Sequence, residues 1–299
     1  MIVKVLGSAA GGGVPQWNCG CSNCQAAREG RAPYRLQASI AVSGDRINWT
    51  LVNVTTDIRL QLARSANMQP SKPRATPFAA VVLTDANIDH VAGLLEFRQA
   101  DVLHIYSTDV VRETVCCNPM FEPLRRGGKE WHAFEATADV ATVTLPVPGL
   151  HVKAIAVPGL LPSYAGSQAL DGATVAYLIE GGGKRLLYAP IFLELSAELL
   201  RQARSADAVF LDGTCWSDGE LIDLGLGRRT ARAMGHAPVG GPDGSLAVAA
   251  GIPAEHRYYT HVNNSNPLLD PSSAASRELR EGGFAVALDG LEIDLDGHS

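Results

Sequence analysis

The sequence predicts an α/β fold in which two mixed β-sheets pack face to face and are covered by helices. A β-rich block is followed by a helical one, and then by a second β-rich and helical block. This order fits neither the strict strand–helix alternation of a parallel sheet nor an all-β protein. Because we find no internal repeat and no low-complexity linker, we expect a single domain over residues 1–299.

The first half of the chain opens with strands. IVKVLG reads as a strand, and ASIAVS and NWTLVNVT as a hairpin turning at Ser43–Gly44–Asp45. TDIRLQLARSA has helical spacing, with Thr56 as its N-cap. The elements expected next are a buried strand FAAVVLT, a helix DHVAGLLEFRQA, a strand VLHIYS and a helical stretch near 108–126.

The second half adds more strands before its helices. Four strands are expected, in ATVTLPV, LHVKAIAVPG, ATVAYLIEG and KRLLYAP, and glycines 181–183 indicate a hairpin between the last two. A helix in ELSAELLRQARSA and strands in DAVFLDGT and RYYTHVN follow. The chain should close with a helix in SSAASRELREGG and strands near 284–294.

Bulk properties narrow the class of protein. Hydrophobic residues make up 46% and charged residues 19% of the 299 residues, as in an ordinary globular protein. The net charge of −6 argues against a nucleic-acid partner. We find no apolar run long enough for a transmembrane helix, and MIVKVLGSAAGGG is too short and glycine-rich for a signal peptide. We therefore expect a cytoplasmic protein without a membrane partner.

The glycine-rich loop LGSAAGGGVPQWN follows the first strand, so a phosphate-binding loop must be considered. The dinucleotide-binding spacing fails because Gln16 stands where the third glycine belongs. The P-loop spacing fails because Gly13 and Val14 replace the lysine and the hydroxyl residue. The pattern favours a tight loop whose backbone passes close to a site.

Three cysteines cluster in WNCGCSNC, where Cys19, Cys21 and Cys24 follow a C-x-C-x2-C spacing. Close thiolates on a turn can wrap one soft ion, and zinc takes four such ligands in a closed tetrahedron. We expect a structural zinc site in the loop 17–25, with free or redox-active thiols as the alternative. A fourth ligand must come from elsewhere in the chain.

A second polar cluster lies in LTDANIDHVAGL, residues 83–94. Asp85 and Asn87 precede Asp89 and His90 with the spacing of a metal-binding loop, yet the loop contains only one histidine. Asp89 and His90 are candidate ligands. Taken alone, Asp89 could equally be the N-cap of a helix over 90–99.

The loop resembles the signature H-x-H-x-D-H-x-x-G-L of the metallo-β-lactamase superfamily, whose fold is an αββα sandwich. Asp85 and Asn87 occupy the positions of the two early histidines, while Asp89 and His90 match. The set GSAAGGGVPQWNCGCSNC, TDANIDHVAGLLEFR, FLDGT, MGHAPV and THVNNSNPLL is more specific. It resembles the PqqB family, the B proteins of pyrroloquinoline quinone (PQQ) biosynthesis, over essentially the whole chain.

The resemblance also implies which superfamily ligands are missing. No ligand stands at 158–159, where a third histidine is expected, or at 189–190, the position of the bridging aspartate. The last histidine is present as His261. Asn264 stands where a related phosphodiesterase branch has a zinc-binding histidine, so the fourth ligand of the cysteine site is open between Asn264, His236 and His256.

The surviving set is Asp89, His90 and His261. It is too small for two ions that share a bridging carboxylate, so a dinuclear hydrolase is not expected. Two histidines and one carboxylate form a facial triad, which suits non-haem Fe(II), or another divalent ion, and O2 chemistry. Asp85, Asp212 and His236 are second candidates, for proton transfer, substrate contact or support of the metal.

What the resemblance implies is iron-dependent hydroxylation of the tyrosine ring in a small Glu-Tyr-derived precursor during PQQ biosynthesis. The expected partners are that peptide-derived substrate and other PQQ biosynthesis proteins, and the oligomeric state is open. Two alternatives stand beside this hypothesis. One is a metal-dependent hydrolase of the phosphodiesterase type, and the other is a non-catalytic carrier of the finished quinone.

Overall fold

The computed structural model describes residues 1–135 and 141–297. Two seven-stranded sheets pack face to face, and helices cover the outer side of each. This confirms the predicted αββα arrangement of two mixed sheets flanked by helices.

The first sheet is built mainly from the N-terminal half. Its strands are β1 (Ile2–Gly7), β2 (Ser39–Ser43), β3 (Trp49–Val52), β4 (Ala80–Val82), β5 (Leu103–Thr108), β6 (Lys129–Phe134) and β14 (Glu292–Asp294). Their order across the sheet is β14-β1-β2-β3-β4-β5-β6. Neighbours from β14 to β3 pair antiparallel, and those from β3 to β6 pair parallel.

The second sheet follows the same plan. Its strands are β7 (Ala141–Val143), β8 (His151–Ala156), β9 (Val175–Gly181), β10 (Lys184–Ala189), β11 (Ala208–Asp212), β12 (His256–Thr260) and β13 (Ala285–Val286). They lie in the order β13-β12-β11-β10-β9-β8-β7. The strands from β7 to β10 pair antiparallel, and those from β10 to β13 pair parallel.

The helices are short. They are α1 (Ser22–Arg28), α2 (Ile58–Ala63), α3 (Ile88–Val91), α4 (Asp109–Cys116), α5 (Ala197–Arg204), α6 (Glu220–Asp223), α7 (Ser245–Ala249) and α8 (Ala274–Glu281), with several 3₁₀ turns between them. Within residues 1–135 and 141–297, we find no helix with the length and apolar character needed to cross a membrane.

A continuous apolar core lies between the two sheets. Both inner faces contribute branched side chains, and the fully buried Tyr177 and Tyr188 lie among them. The Tyr177 hydroxyl donates to the Leu83 carbonyl at 2.8 Å, which ties the second sheet to the end of β4. This contact satisfies a buried hydroxyl and fixes the loop that leaves β4.

Two predicted local features are wrong. Thr56 is not the N-cap of α2, because Asp57 occupies that position and the Thr56 hydroxyl donates to Gln37 instead. The helix expected over 89–100 is a single α-helical turn, α3, followed by a 3₁₀ helix over Ala92–Gln99. The tighter winding begins beside Gly93, where the chain lies against the backbone of Thr55.

Four elements were not predicted: the strand β6 and the helices α1, α6 and α7. The strand β6 forms the edge of the first sheet, and its partly exposed sequence KEWHAF lacks the apolar run of a buried strand. The helix α1 starts inside the cysteine cluster and has only Cys24 and Ala27 buried. Both predicted hairpins, β2–β3 and β9–β10, are confirmed.

The close packing at Gly93 gives a test of the fold. A β-carbon at this position would lie 1.9 Å from the Thr55 carbonyl oxygen, which is backbone and cannot rotate away. We expect Gly93→Ala to lower the free energy of unfolding by about 1–3 kcal/mol. At Gly251 a β-carbon meets nothing within 4 Å, so Gly251→Ala should be nearly neutral. Urea unfolding followed by circular dichroism measures both variants, and equal midpoints would contradict the packing argument.

Candidate metal centre

Polar side chains from both sheets meet at one end of the sandwich. On the first sheet, Asp85 follows β4, and the chain then turns into α3, which carries Asp89 and His90. Backbone hydrogen bonds hold this turn, because the N–H of Val54 donates to the His90 carbonyl at 2.7 Å and the N–H of Gly93 donates to the Val54 carbonyl at 3.0 Å. The loop after β3 therefore fixes the position of α3.

The second sheet contributes the other half of the site. Asp212 is the last residue of β11, and His261 follows the last residue of the adjacent parallel strand β12. His261 has a left-handed backbone with φ 56°, which is uncommon for a residue with a side chain. His236 lies in the loop before α7. The predicted ligands and second candidates of both halves, but not the three cysteines, are thus brought together at one end of the sandwich.

Asp89, His90 and His261 form one cluster of potential ligand atoms. Asp89 Oδ2 lies 3.1 Å from His261 Nε2 and 3.9 Å from His90 Nε2. The His90 Nε2 atom is buried and has no hydrogen-bond partner among the described residues. A buried nitrogen that faces a carboxylate without a partner is a place where a divalent ion would complete the bonding.

Asp85 holds His90 in this orientation. Its Oδ2 accepts from His90 Nδ1 at 2.6 Å and from the Thr84 hydroxyl at 2.6 Å. Its Oδ1 accepts from the backbone and side-chain amides of Asn87, both at 2.8 Å. Metal-binding histidines commonly donate their second ring nitrogen to a carboxylate in this manner. The contacts therefore fit a positioning role for Asp85.

The site concentrates negative charge in largely buried surroundings. Burial alone would raise the pKa of Asp85 and Asp89, but the adjacent histidines and hydrogen bonds hold both values below the usual range. Burial would lower the pKa of His90, yet the two carboxylates raise it to about 9. A site that stabilises positive charge to this extent also favours a bound cation.

Thr214 orients the second histidine. Its hydroxyl donates to Asp212 Oδ1 at 2.7 Å, so its oxygen can accept from His261 Nδ1, also at 2.7 Å. With its hydrogen on Nδ1, a neutral His261 would present a bare Nε2 to an ion beside Asp89, whose Oδ2 lies 3.1 Å from that nitrogen. Thr214 therefore performs for His261 the role that Asp85 performs for His90.

His236 completes the buried network. Its Nδ1 lies 2.8 Å from Asp212 Oδ2 and 3.0 Å from the Thr214 hydroxyl. Its ring stacks on His261 with 5.4 Å between centroids. Burial would lower the pKa of His236, but the Asp212 carboxylate outweighs it and raises that pKa. Asp212, His236 and His261 also have ligand atoms close enough to share one ion.

The glycine-rich loop passes along this centre, as predicted from its failed phosphate motifs. A β-carbon on Gly11 would lie 3.3 Å from the Asp89 carboxylate. Gln37 donates its side-chain amide to the Gly11 carbonyl and fixes the loop. A larger side chain at position 11 would crowd the candidate ligand Asp89, so the lack of a side chain at Gly11 leaves room for that carboxylate.

The three cysteines form a separate cluster. Cys24 Sγ accepts from the backbone N–H of Gln16 at 3.3 Å, and Cys19 Sγ accepts from that of Cys21 at 3.4 Å. Burial and the neighbouring thiols raise the pKa of Cys24 to about 11, although the Gln16 N–H opposes them. A bound cation is what would keep all three sulfurs deprotonated.

Asn264 is the group that faces the three sulfurs. Its side-chain amide lies 3.1 Å from Cys19 Sγ, 3.5 Å from Cys21 Sγ and 3.4 Å from Cys24 Sγ. Rotating the amide by half a turn would present its oxygen to the same position. In the described part of the chain, no histidine or carboxylate joins these cysteines. The alternative fourth ligands are therefore wrong, because His236 contacts Asp212 and His256 lies at the start of β12, opposite the end that leads to His261.

Thr214 was not predicted as a site residue, although it lies in the FLDGT run. Its role depends on contacts with His236 and His261, 22 and 47 residues away. Thr84 was not predicted as a site residue either. The side-chain amide of Asn53, just after β3, donates to the Thr84 hydroxyl at 2.9 Å. Neither threonine carries a sequence signal of its own, because the role of each depends on partners that are distant in the chain.

Comparisons with known proteins identify relatives over the full length. A model described as a β-lactamase superfamily domain matches residues 48–262. Coenzyme PQQ synthesis protein B of Pseudomonas syringae pv. syringae is 40% identical, with 99% of this chain and 100% of that protein covered. The protein of the same name from Methylobacterium sp. (strain 4-46) is also 40% identical, covering 97% of this chain and 99% of the relative.

Solved structures agree with the sequence relatives. The crystal structure of Zn²⁺-bound PqqB from Methylobacterium extorquens superposes with a TM-score of 0.93 at 39% identity, covering 99% of this chain and 100% of that one. A diphosphatase of the PhnP family superposes with a TM-score of 0.68 at 19% identity, covering 98% and 97% of the two chains. The latter likeness supports the fold alone.

The Thr214 contacts predict an effect on metal affinity. Thr214→Val keeps the shape of the side chain but removes the acceptor of the His261 Nδ1 hydrogen. We expect divalent metal binding at the Asp89–His90–His261 cluster to weaken by about 10- to 100-fold. Thr214→Ser keeps the hydroxyl and should bind close to normally. Competition with a metal indicator measures both variants, and equal weakening by valine and serine would contradict the hydrogen-bond argument.

The cysteine cluster predicts an independent ion. Cys24→Ser should reduce the zinc bound per chain by one, because it removes a buried thiolate from the tetrahedral set. Cys117→Ser is the matched control, since Cys117 is an exposed thiol outside the cluster. His90→Ala should leave the cysteine-bound zinc in place. Elemental analysis after gel filtration counts the ions, and loss of both ions with either variant would mean that the clusters are one site.

Proposed function

The chain belongs to the family of coenzyme PQQ synthesis protein B, and from that membership we propose that it acts in PQQ biosynthesis as a metal-dependent enzyme of the β-lactamase superfamily. The finer proposal is an Fe(II)- and O2-dependent hydroxylase of the tyrosine ring in a small Glu-Tyr-derived precursor. The observation that carries it is the donor set: one carboxylate and two histidines, with the Nε2 atom of His90 buried and unpaired within the described chain.

Asp89, His90 and His261 would hold the ion. Two histidines and one carboxylate are the donor set of non-haem Fe(II) sites, and such a set would leave room for O2 and substrate at a bound ion. When bound, Fe(II) supplies the activation of O2. Asp85 and Thr214 keep the Nε2 atoms of the two histidines directed at the ion, since each holds the corresponding Nδ1 atom.

His236 and Asp212 are the candidates for proton handling. Asp212 is fully buried, whereas the His236 side chain keeps 11% of its area exposed. With Nδ1 held by Asp212, the other ring nitrogen is free to meet a substrate group. A phenol ring that gains a hydroxyl must lose a ring proton, and a histidine held by a carboxylate is suited to receive it.

A hydrolase is the second candidate function. It is favoured by the Asp212–His236–His261 cluster, which offers a second set of ligand atoms that shares His261 with the first. Two adjacent ions could activate water and stabilise a leaving group. Against it, the residues at the usual bridging position are Ala189 and Pro190, which provide no ligand.

One experiment separates the two chemistries. The anaerobic protein is loaded with Fe(II), and ¹⁸O2, a reductant and a Glu-Tyr peptide are added. The reductant supplies the two electrons that convert the second oxygen atom to water. We expect a product that has gained one ¹⁸O atom on the tyrosine ring, detected by mass spectrometry. His90→Ala and His261→Ala should abolish this product because each removes a ligand.

The controls decide between the candidates. The Cys117→Ser variant should retain full turnover, because Cys117 belongs to neither cluster. Zinc in place of iron should give no labelled product. Absence of label with iron, together with zinc-dependent cleavage of a phosphodiester by the same preparation, would overturn the hydroxylase proposal in favour of the hydrolase. A dispensable metal with tight quinone binding would indicate a carrier.

A further inference from the structure

A third group of potential ligands lies away from both clusters already described. His104 on β5 pairs in parallel register with Glu130 on the edge strand β6, and Tyr106 pairs with His132 two residues further along. Because side chains two residues apart share one face of a strand, His104, Glu130 and His132 project from the same face of the sheet. The group shares no residue with the Asp89 or the cysteine cluster.

Three atoms of this group are arranged like ligands of one ion. His104 Nδ1 lies 3.2 Å from His132 Nε2 and 3.4 Å from Glu130 Oε2. The same Glu130 oxygen lies 3.6 Å from His132 Nε2. Ligands placed about 2.0–2.1 Å from a tetrahedral zinc ion are separated by about 3.3–3.4 Å. One triangle of three donor atoms therefore matches a face of such a tetrahedron.

The surroundings hold the histidines without closing the site. His132 stacks on the buried ring of Tyr106, with 4.5 Å between centroids and 17° between planes. The side chains of His104, His132 and Glu130 are 26%, 39% and 57% exposed. An ion can therefore reach the three atoms from solvent, and a water molecule can fill the fourth position.

We propose that His104, Glu130 and His132 form a further metal site, which takes zinc or a similar borderline divalent ion and clamps the edge strand β6 to β5. Imidazole and carboxylate donors suit zinc, copper and nickel better than the harder magnesium or calcium. Edge strands have one unpaired side and are the most easily detached part of a sheet. An ion bound by side chains of both β5 and β6 would link the two strands and stabilise this edge of the sheet.

Without an ion, the same geometry is a hydrogen bond between the two histidines with a glutamate beside it. The experiment must therefore count ions and locate them. The full-length protein, the double variant His104→Gln/His132→Gln and the control His151→Gln are dialysed against micromolar free zinc. His151 is exposed on β8 and belongs to none of the clusters.

We expect wild type and His151→Gln to bind one zinc ion more per chain than the double variant, by elemental analysis. Zinc should also slow amide hydrogen exchange in the peptide that contains Lys129–Phe134, and this slowing should be absent from the double variant. Circular dichroism of the three proteins without zinc checks that all are folded. Equal zinc counts with equal exchange in β6 would overturn the site and leave only the histidine–histidine hydrogen bond.

Discussion

The candidate metal centre depends on one polar contact between the two sheets, in which Asp89 Oδ2 lies 3.1 Å from His261 Nε2. Asp89 depends on β4 and α3 of the first sheet, and His261 depends on β12 of the second. The apolar core between the sheets sets their separation, and the Tyr177 hydroxyl bonded to Leu83 fixes their relative position near the site. The candidate metal centre is thus a property of sheet packing, since neither sheet carries it alone.

The orientation of the two histidines at this centre depends on the hydrogen bonds made by their Nδ1 atoms. Asp85 accepts a hydrogen bond from His90 Nδ1, and Thr214 accepts one from His261 Nδ1, so both Nε2 atoms face Asp89. A carboxylate serves one histidine and a hydroxyl serves the other. The hydroxyl is itself bonded to the buried Asp212, which extends the acidic character of the network to the second sheet. Negative charge on both sides of the pocket explains why a cation is expected there.

Much of the fold could be predicted because its strands are buried and bounded by turn residues. The edge strand β6 escaped prediction because it is paired on one side and half-exposed, which removes the apolar pattern that identifies a strand. Asp89, His90 and His261 could be found through a family resemblance. Thr214 could not, because its partners are distant in sequence and a threonine after a strand has no pattern of its own.

The cysteine cluster and the candidate metal centre are connected through one short segment. Asn264 faces the three sulfurs only three residues after His261, and Asn23 on α1 donates to the carbonyls of Asn264 and Asn266 at 3.0 Å. His261 also has a strained backbone, which persists only where its surroundings hold it. An ion at the cysteines would anchor one end of this segment, and Thr214 holds the other. An ion at the cysteines would therefore stabilise the segment that follows His261.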